Sequence, residues 1–275
     1  MLIAFILSHH FFLSVYEPAD LFSLSKDEQA IYHDVIGEEF CACNSPLTIR
    51  GCLELKPDCQ TAKELSRLAV KKILSAPRRE GVLAFLSTSI LGPFCEKPIV
   101  IDTTQAPQKG KKSAPLTLIE FADFRCSHCR QAAPLIKQSL AKYEKDLRFI
   151  FMPFPVQNHP HSVLAAEAVL AADAQGKFWP MYDALFKYPD INFELPVLET
   201  IAMTAGVNLQ RFRTELAGKK QSVRLQSLKK IGEAIGVEGT PRFYLNGRPF
   251  DFMPPLLTLE DGIALEQSRY HGKCQ

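Results

Sequence analysis

The sequence has little excess charge and no long apolar run, and each absence argues against a class of protein. Its 32 Lys and Arg residues nearly balance its 30 Asp and Glu residues, which gives a formal net charge of +2. That balance does not predict nucleic-acid binding, which depends on an excess of positive charge. No apolar stretch reaches the roughly 20 residues that a membrane-spanning helix needs. No internal repeat is present, so a repeat architecture is not indicated either.

The composition is otherwise that of an ordinary globular protein. The chain has 275 residues, of which 47% are hydrophobic and 23% are charged. This length is enough for one large domain or two modest ones with a sizeable core.

Cysteine, by contrast, is abundant. An even number of cysteines fits an oxidising compartment, a metal site or both, and it is high for a reducing cytosol. The sequence leaves their connectivity open. The eight cysteines are Cys41, Cys43, Cys52, Cys59, Cys95, Cys126, Cys129 and Cys274.

The N-terminal segment bears on the compartment. Leu2–Val15 reads LIAFILSHHFFLSV, which is apolar but short for a membrane span and is typical of the core of a secretory signal peptide. The first basic residue is Lys26, so the usual positive charge before such a core is absent. Together with the cysteine content, the segment predicts export to the periplasm or another extracytoplasmic space. The alternative is a buried apolar N-terminal helix.

The chain beyond this segment divides into two halves. We predict a signal-like segment at 1–19, a small all-α cysteine-rich domain at 20–95, a linker at 96–112 and an α/β domain at 113–275. Apolar residues at helical spacing indicate the first domain. Proline, glycine and four lysines without periodicity indicate the linker, with one short strand at Ile99–Ile101.

The second half alternates between strands and helices. Apolar runs predict strands at 115–123 and 148–156, and helices are expected over an insert at about 157–236. PRFYLNGRPF at 241–250 predicts a hairpin with Asn246-Gly247 as its turn. This order indicates helices packed on a small sheet.

The motif with the clearest functional implication is CSHC, residues 126–129, directly after an apolar strand. A zinc site would need two further ligands, but the only other cysteine in this half is Cys274, and His159 and His161 are only two residues apart. A structural disulfide at this spacing would close a tiny loop and constrain little. Both interpretations are therefore disfavoured.

A redox-active pair fits this position best. A cysteine at a strand-to-helix turn lies at a helix N-terminus, where unpaired N–H groups and the helix dipole favour the thiolate. His128 could add positive charge or a hydrogen bond. Cys129, one turn along the helix, could then attack a mixed disulfide. Asp123 is interpreted as an N-cap of this helix, and His159 and His161 as surface or capping residues.

Three segments together resemble the DsbA-like thiol:disulfide oxidoreductases of the thioredoxin fold, including the branch that shares features with DsbC and DsbG. These are IEFADFRCSHCRQAAP at 119–134, NHPHSVLAAEAVLAADAQGKFWPMYDALF at 158–186 and GTPRFYLNGRPF at 239–250. Three motifs in family order are far more specific than C-x-x-C alone. The resemblance implies a thioredoxin fold with a helical insertion over roughly residues 113–270.

The resemblance also implies roles for individual residues. Cys126 matches the nucleophilic cysteine, Cys129 the resolving one, and His128 the histidine that stabilises the thiolate. Ser127 departs from the usual proline, and the intervening dipeptide tunes the redox potential. These four residues form the expected catalytic motif.

Further matches concern the substrate and the proton. Thr240 and Pro241 match a substrate-binding segment with a cis-proline, and the threonine is that of the DsbC-like branch. Glu120 matches an acidic residue that some members bury beneath the pair for proton transfer. The alternative for Glu120 is an edge-strand carboxylate exposed to water.

The function implied is that of an exported enzyme that exchanges disulfides with cysteine-containing substrate proteins. Oxidation is favoured, and reduction or isomerisation is possible. The resemblance implies no cofactor beyond the disulfide Cys126–Cys129, and it implies a DsbB- or DsbD-like membrane redox partner. A thioredoxin-fold adaptor without turnover is disfavoured because both cysteines and Thr240-Pro241 are present.

The N-terminal cysteines leave several interpretations open. Structural disulfides are favoured for an exported protein. A second redox pair and a four-thiolate zinc or copper site are the alternatives, and the metal site would make the chain a metal-handling protein. This cluster comprises Cys41, Cys43, Cys52 and Cys59.

Overall fold

The computed structural model describes residues 16–41, 46–56, 58–157, 159, 161–188, 192–254 and 257–270. The segment Leu2–Val15, Cys43 and Cys274 lie outside the described residues. The chain divides into two compact units, one formed by the residues up to Cys95 together with those from Gln267 onward, the other by Glu96–Glu266. No helix in the described ranges is both long enough and apolar enough to cross a membrane.

The first unit is built from helices, as the sequence predicts for this region. Buried side chains at helical spacing on α1 and α3 form its core, among them Tyr32, Val35, Leu65 and Leu68. The Tyr32 hydroxyl lies 2.6 Å from Ser66 Oγ, so the polar end of this buried ring is also satisfied. The elements are a 3-10 helix (Ala19–Ser23), α1 (Lys26–Glu38), α2 (Ile49–Leu55), α3 (Gln60–Ser75), α4 (Arg79–Ala84), a π-helix (Phe85–Leu91) and α5 (Gly92–Cys95).

The second unit is built on a mixed sheet, which has five strands within the described residues in the order β1-β3-β2-β4-β5. β2 and β3 are parallel, and the other neighbouring strands are antiparallel. The α/β class predicted from the sequence is therefore confirmed. The strands are β1 (Gln108–Lys109), β2 (Leu116–Ala122), β3 (Leu147–Pro153), β4 (Arg242–Leu245) and β5 (Arg248–Phe250).

β2 and β3 lie inside this sheet because their side chains suit burial on both faces. Both strands are almost entirely apolar, and all but one residue of each is buried. Helix α6 (Ser127–Lys142) makes the crossover between these parallel strands. The chain consequently leaves the buried strand β2 and enters α6 through the short segment that carries the C-x-x-C motif.

Five helices lie between β3 and β4 in the part of the chain that the structure describes, and α12 follows the hairpin. The helical insert expected at about 157–236 corresponds to the first five. These are α7 (Ser162–Asp173), α8 (Phe178–Lys187), α9 (Leu195–Thr204), α10 (Leu209–Ala217) and α11 (Lys220–Ala234), and α12 runs over Leu259–Tyr270.

The segment before β2 differs from the prediction. The strand expected at Ile99–Ile101 is wrong, and the strand that forms here is β1, whose partner is β3. Ile99 makes one backbone hydrogen bond, from its N–H to Gly247 O at 2.9 Å. One such bond does not make a strand, because a ladder requires successive pairs.

The hairpin turn matches the prediction. Asn246 and Gly247 connect β4 to β5, with φ values of 49° and 79°. Positive φ at both central positions is the geometry of a type I′ turn, which Asn-Gly favours. Asn246 Oδ1 also accepts a hydrogen bond from Thr117 N at 2.7 Å, which fixes the turn against the start of β2.

Gly232→Ala is expected to destabilise the second unit by about 1–3 kcal/mol, because overpacking forces neighbours to move. A Cβ at Gly232, on α11, would lie 2.8 Å from a ring carbon of Phe154 and 2.9 Å from one of Phe121. Gly81→Ala is the matched control, because the nearest neighbour of its Cβ would be 3.8 Å away. Differential scanning calorimetry should show a lower unfolding temperature for the first variant only. Equal behaviour of the two variants would contradict this packing.

Candidate active site

The C-x-x-C motif lies at the connection between β2 and α6. Cys126 is the N-cap residue of α6, and its Sγ accepts a hydrogen bond from Cys129 N at 3.4 Å. Neither cysteine is disulfide-bonded in this structure. Cys126 is 6% exposed and Cys129 is fully buried. The motif therefore presents one sulfur to the surface and keeps the other beneath it.

Hydrogen bonds at the start of α6 stabilise the Cys126 thiolate. They lower the pKa of Cys126 to about 5, and the largest contribution is a hydrogen bond from the Cys129 thiol. Burial opposes this shift, while the backbone N–H of Cys129, a hydrogen bond from Thr240 and the backbone N–H of His128 support it. Cys126 is thus a thiolate at neutral pH, and a thiolate is the reactive form of cysteine.

Cys129 has the opposite environment. Burial raises the pKa of its thiol, and the hydrogen bond to Cys126 and the charges of Glu120 and Cys126 raise it further. The two sulfurs therefore differ in both exposure and protonation. The environment of Cys126 favours the thiolate, and the environment of Cys129 favours the protonated thiol.

Ser127 and His128 are exposed in the first turn of α6. The contact by which His128 lowers the pKa of Cys126 is its backbone N–H. The roles that the resemblance implies for the Ser127 hydroxyl and the His128 imidazole stay predictions.

Thr240 and Pro241 lie beside Cys126. The peptide bond between them is cis, and Cys126 Sγ lies 3.3 Å from Thr240 O. Pro241 immediately precedes β4, which pairs with β2. Residues about 114 positions apart in the chain are thus brought into contact by the sheet.

Glu120 lies in the interior of the sheet. It is fully buried on β2, with Phe151 of β3 on one side and Phe243 of β4 on the other. The edge-strand alternative is therefore wrong, because β2 has neighbours on both edges. Neither carboxylate oxygen has a hydrogen-bond partner among the described residues. Burial raises the pKa of Glu120 well above its usual value, and the charge of Cys126 raises it further.

An open cleft of about 700 Å³ adjoins Cys126. Its walls come from the motif, from residues 154–157 after β3, from α11 and from residues 237–240 before the cis-proline. The lining contains two histidines together with acidic and basic side chains. The titratable residues of the lining, besides Cys126, are Arg125, His128, His159, Lys229, Glu233 and Glu238. The cleft is large enough to receive a segment of polypeptide.

Two assignments near the cleft need correction. Asp123 is not the N-cap of α6, because Cys126 occupies that position. His159 is not merely a surface residue, since its Nδ1 lies 3.0 Å from Asp123 Oδ2 and its side chain lines the cleft. His161 precedes α7 but makes no side-chain cap, and its Nδ1 lies 2.8 Å from Asn192 Oδ1. Sequence spacing could not place residues 123 and 159 together, since the contact depends on β2 and β3 ending side by side.

Four of the described cysteines, namely Cys41, Cys52, Cys59 and Cys95, are in disulfides. Cys41 and Cys52 are bonded to each other across 11 residues, and both are fully buried. Cys59 and Cys95 are also disulfide-bonded. A sulfur in a disulfide is not a thiolate ligand, so the alternative four-thiolate metal site is not formed in this state. The described residues contain no group of three or more His, Cys, Asp or Glu side chains placed to hold a metal ion.

Comparison with known proteins agrees with this geometry. The family model described as "Thioredoxin" matches residues 102–260. Among curated proteins, the chain is 33% identical over 185 residues to a protein of Salinispora tropica named Na(+)/H(+) antiporter NhaA 3, covering 66% of this chain and 27% of that protein. A protein of Herminiimonas arsenicoxydans named Na(+)/H(+) antiporter NhaA is 32% identical over 155 residues, covering 55% and 24%. The chain thus spans about a quarter of the length of the curated relatives it matches.

Solved structures share the fold. BdbD from Bacillus subtilis has a TM-score of 0.53 at 22% identity, covering 62% of this chain and 96% of that one. A thioredoxin-like oxidoreductase from Silicibacter pomeroyi has a TM-score of 0.53 at 23% identity, covering 61% and 94%. The thiol-disulfide exchange protein alpha-DsbA2 from Wolbachia pipientis has a TM-score of 0.52 at 18% identity, covering 62% and 88%. The predicted thioredoxin fold is confirmed.

The thiolate of Cys126 is expected to titrate with a midpoint near pH 5, which its ultraviolet absorbance in the reduced protein can follow. Cys126→Ser should abolish this transition. Cys129→Ala should raise the midpoint, because it removes the hydrogen bond that contributes most. A midpoint near the ordinary cysteine value of about 8.5 in the unmodified protein would contradict the described hydrogen bonding.

Glu120→Gln is expected to stabilise the reduced protein increasingly as the pH rises. The folded pKa of Glu120 lies above its unfolded value, so its favourable contribution is present at low pH and is lost as the pH rises toward the folded pKa. Urea denaturation should show little difference below pH of about 4, the unfolded value, and a gain in stability that grows from there toward neutral pH. A difference independent of pH would contradict a neutral, buried Glu120.

Proposed function

The chain belongs to the thioredoxin family, and from this premise we propose that it is an exported thiol:disulfide oxidoreductase acting on cysteine-containing proteins. The observation that carries the proposal is the pairing of Cys126, whose pKa is lowered to about 5 at an open cleft, with the buried thiol of Cys129. A stabilised thiolate beside a protonated resolving thiol is what disulfide exchange requires.

In the oxidising direction, the enzyme starts as the Cys126–Cys129 disulfide. A substrate thiolate attacks Cys126 Sγ, the bond to Cys129 breaks, and Cys129 leaves as a thiolate that takes up a proton. A second substrate thiolate then attacks the substrate sulfur of the mixed disulfide and releases Cys126 as a thiolate. The substrate loses two electrons to form its disulfide, and the enzyme becomes the dithiol.

The low pKa of Cys126 favours this direction. A thiol of low pKa is a good leaving group, and stabilising the thiolate stabilises the reduced enzyme, which makes the disulfide more oxidising. Reduction or isomerisation would use the same bonds in reverse, with Cys126 attacking a substrate disulfide and Cys129 resolving the mixed disulfide.

Glu120 is proposed to exchange the proton of Cys129. Both groups are buried, and the charge of Glu120 raises the pKa of Cys129, so their ionisation is coupled. A carboxyl held neutral near physiological pH can donate a proton to a departing thiolate and later accept one.

Thr240 and Pro241 are proposed to bind the substrate. The carbonyl of Thr240 lies beside Cys126 Sγ, so a polypeptide bonded to that sulfur passes the backbone before β4. An extended substrate could add to this backbone as a strand does, with little demand on side-chain identity.

An extracytoplasmic location and a membrane redox partner are part of the proposal. Buried disulfides such as Cys41–Cys52 persist in oxidising surroundings, which supports an extracytoplasmic location. An oxidase must be reoxidised after each turnover. A DsbB-like membrane protein would supply that step, and a DsbD-like one would serve the reducing direction.

The reduction potential of the pair tests the proposal. The protein is equilibrated in graded glutathione buffers, its thiols are trapped with a mass tag, and the peptide that contains Cys126 and Cys129 is quantified. A reduction potential of about −120 mV is expected for an oxidase, and one of about −270 mV for a reductase. Cys129→Ser is the matched variant, and it should accumulate a mixed disulfide between Cys126 and a peptide substrate. A pair that never exchanges with glutathione would refute the proposed enzymatic function.

A further inference from the structure

Asp123 holds one wall of the cleft to the active-site motif. We propose that it is a positioning residue, whose buried carboxylate fixes the segment after β3 and so determines how tightly extended polypeptides bind beside Cys126. The activity assay that tests this role rests on the proposed function. How firmly the wall is held in place does not depend on that function, and it can be measured separately.

The carboxylate of Asp123 accepts hydrogen bonds from four donors. Oδ1 accepts from Arg125 N at 2.7 Å and from Ser162 Oγ at 2.6 Å. Oδ2 accepts from Val156 N at 2.9 Å and lies 3.0 Å from His159 Nδ1. The side chain is fully buried, so water does not replace these contacts when one is lost. A buried carboxylate with four donors is strongly held in place.

The backbone of Asp123 extends the same arrangement to the cysteines. Its carbonyl oxygen accepts a hydrogen bond from Cys126 N at 3.1 Å. Its N–H also bonds the sulfur of Cys129 and partly offsets the rise in that pKa. One residue therefore contacts the reactive pair through its main chain and the cleft wall through its side chain.

The wall in question consists of residues 154–157 and His159, in the connection between β3 and α7. These residues line the cleft together with residues 237–240, which include Thr240. Two of the four donors belong to this connection, and a third, Ser162, is the first residue of α7. Displacement of the connection would change the width of the cleft without touching either sulfur.

Two roles for Asp123 predict different results when its charge is removed. A purely electrostatic role predicts a lower Cys126 pKa in Asp123→Asn, since a nearby negative charge is lost, and unchanged peptide affinity. The positioning role predicts weaker peptide binding, because an amide nitrogen cannot accept from a backbone N–H and part of the wall loses its acceptor.

The test compares Asp123→Asn and Ser162→Ala with Asp261→Asn in the full chain. Ser162 is buried, does not line the cleft and donates its hydroxyl to Asp123, so Ser162→Ala removes one donor of this carboxylate. Asp261 is the control: it is 4% exposed, accepts from Thr258 N and Oγ1 at 2.8 Å each, and is not part of the cleft lining. Each variant oxidises either an extended peptide dithiol or dithiothreitol, with glutathione disulfide as the terminal oxidant.

The KM for the peptide should rise about tenfold in Asp123→Asn and by a smaller factor in Ser162→Ala, since misplacement of a positioning group is costly. Turnover of dithiothreitol, which is too small to span the cleft, should stay close to that of the unchanged protein. Asp261→Asn should lower the melting temperature without a change in either KM. Equal effects on peptide and dithiothreitol, or an unchanged peptide KM in Asp123→Asn, would overturn the proposal.

Hydrogen exchange separates this proposal from the proposed function. Mass spectrometry should show faster exchange in residues 154–162 of Asp123→Asn and Ser162→Ala than in Asp261→Asn. Unchanged protection there would refute the positioning role even if the enzyme is active. An unchanged protein that oxidises neither dithiol would refute the proposed function, while loss of protection in the variants would still support the role of Asp123 in ordering the wall.

Discussion

The site depends on a thiolate stabilised at the N-terminus of α6. Cys126 caps that helix, so its sulfur receives hydrogen bonds from N–H groups that have no partner within the helix. This requires α6 to begin at one particular residue and to start at the end of a strand buried on both faces. The positions of β2, of the cis peptide bond and of the cleft matter for the chemistry because they keep this sulfur partly exposed and its surroundings fixed.

The second constraint is the contrast between the two sulfurs. Cys129 is only three residues from Cys126, yet it is fully buried and its pKa shifts in the opposite direction. A buried carboxyl without a hydrogen-bond partner among the described residues costs stability. Such a cost at a reactive site is typical of a group retained for its chemistry. The charge of Glu120 raises the pKa of Cys129, so the ionisation of one buried group affects the other.

Asp123 connects the C-x-x-C motif to the cleft wall through hydrogen bonds. The residue stands between strand and helix, where its carboxylate meets donors from the motif and from the connection after β3. Parallel pairing of β2 with β3 ends both strands at the same edge of the sheet, with Ala122 opposite Pro153. The loops that follow these strands must therefore meet there. The cleft wall after β3 is consequently tied to the segment that carries Cys126 and Cys129.

The sequence alone determined the α/β class, the order of β2, α6 and β3, the Asn246-Gly247 turn and the pair Cys126–Cys129. These depend on local patterns, namely apolar runs, helical spacing, turn chemistry and a short motif. Only the tertiary structure decided that Glu120 is interior, that β1 forms at Gln108–Lys109 and not at Ile99–Ile101, and that Asp123 accepts from His159. Each of these depends on which strands become neighbours. Strand pairing joins residues far apart in the chain, so it cannot be predicted from local spacing.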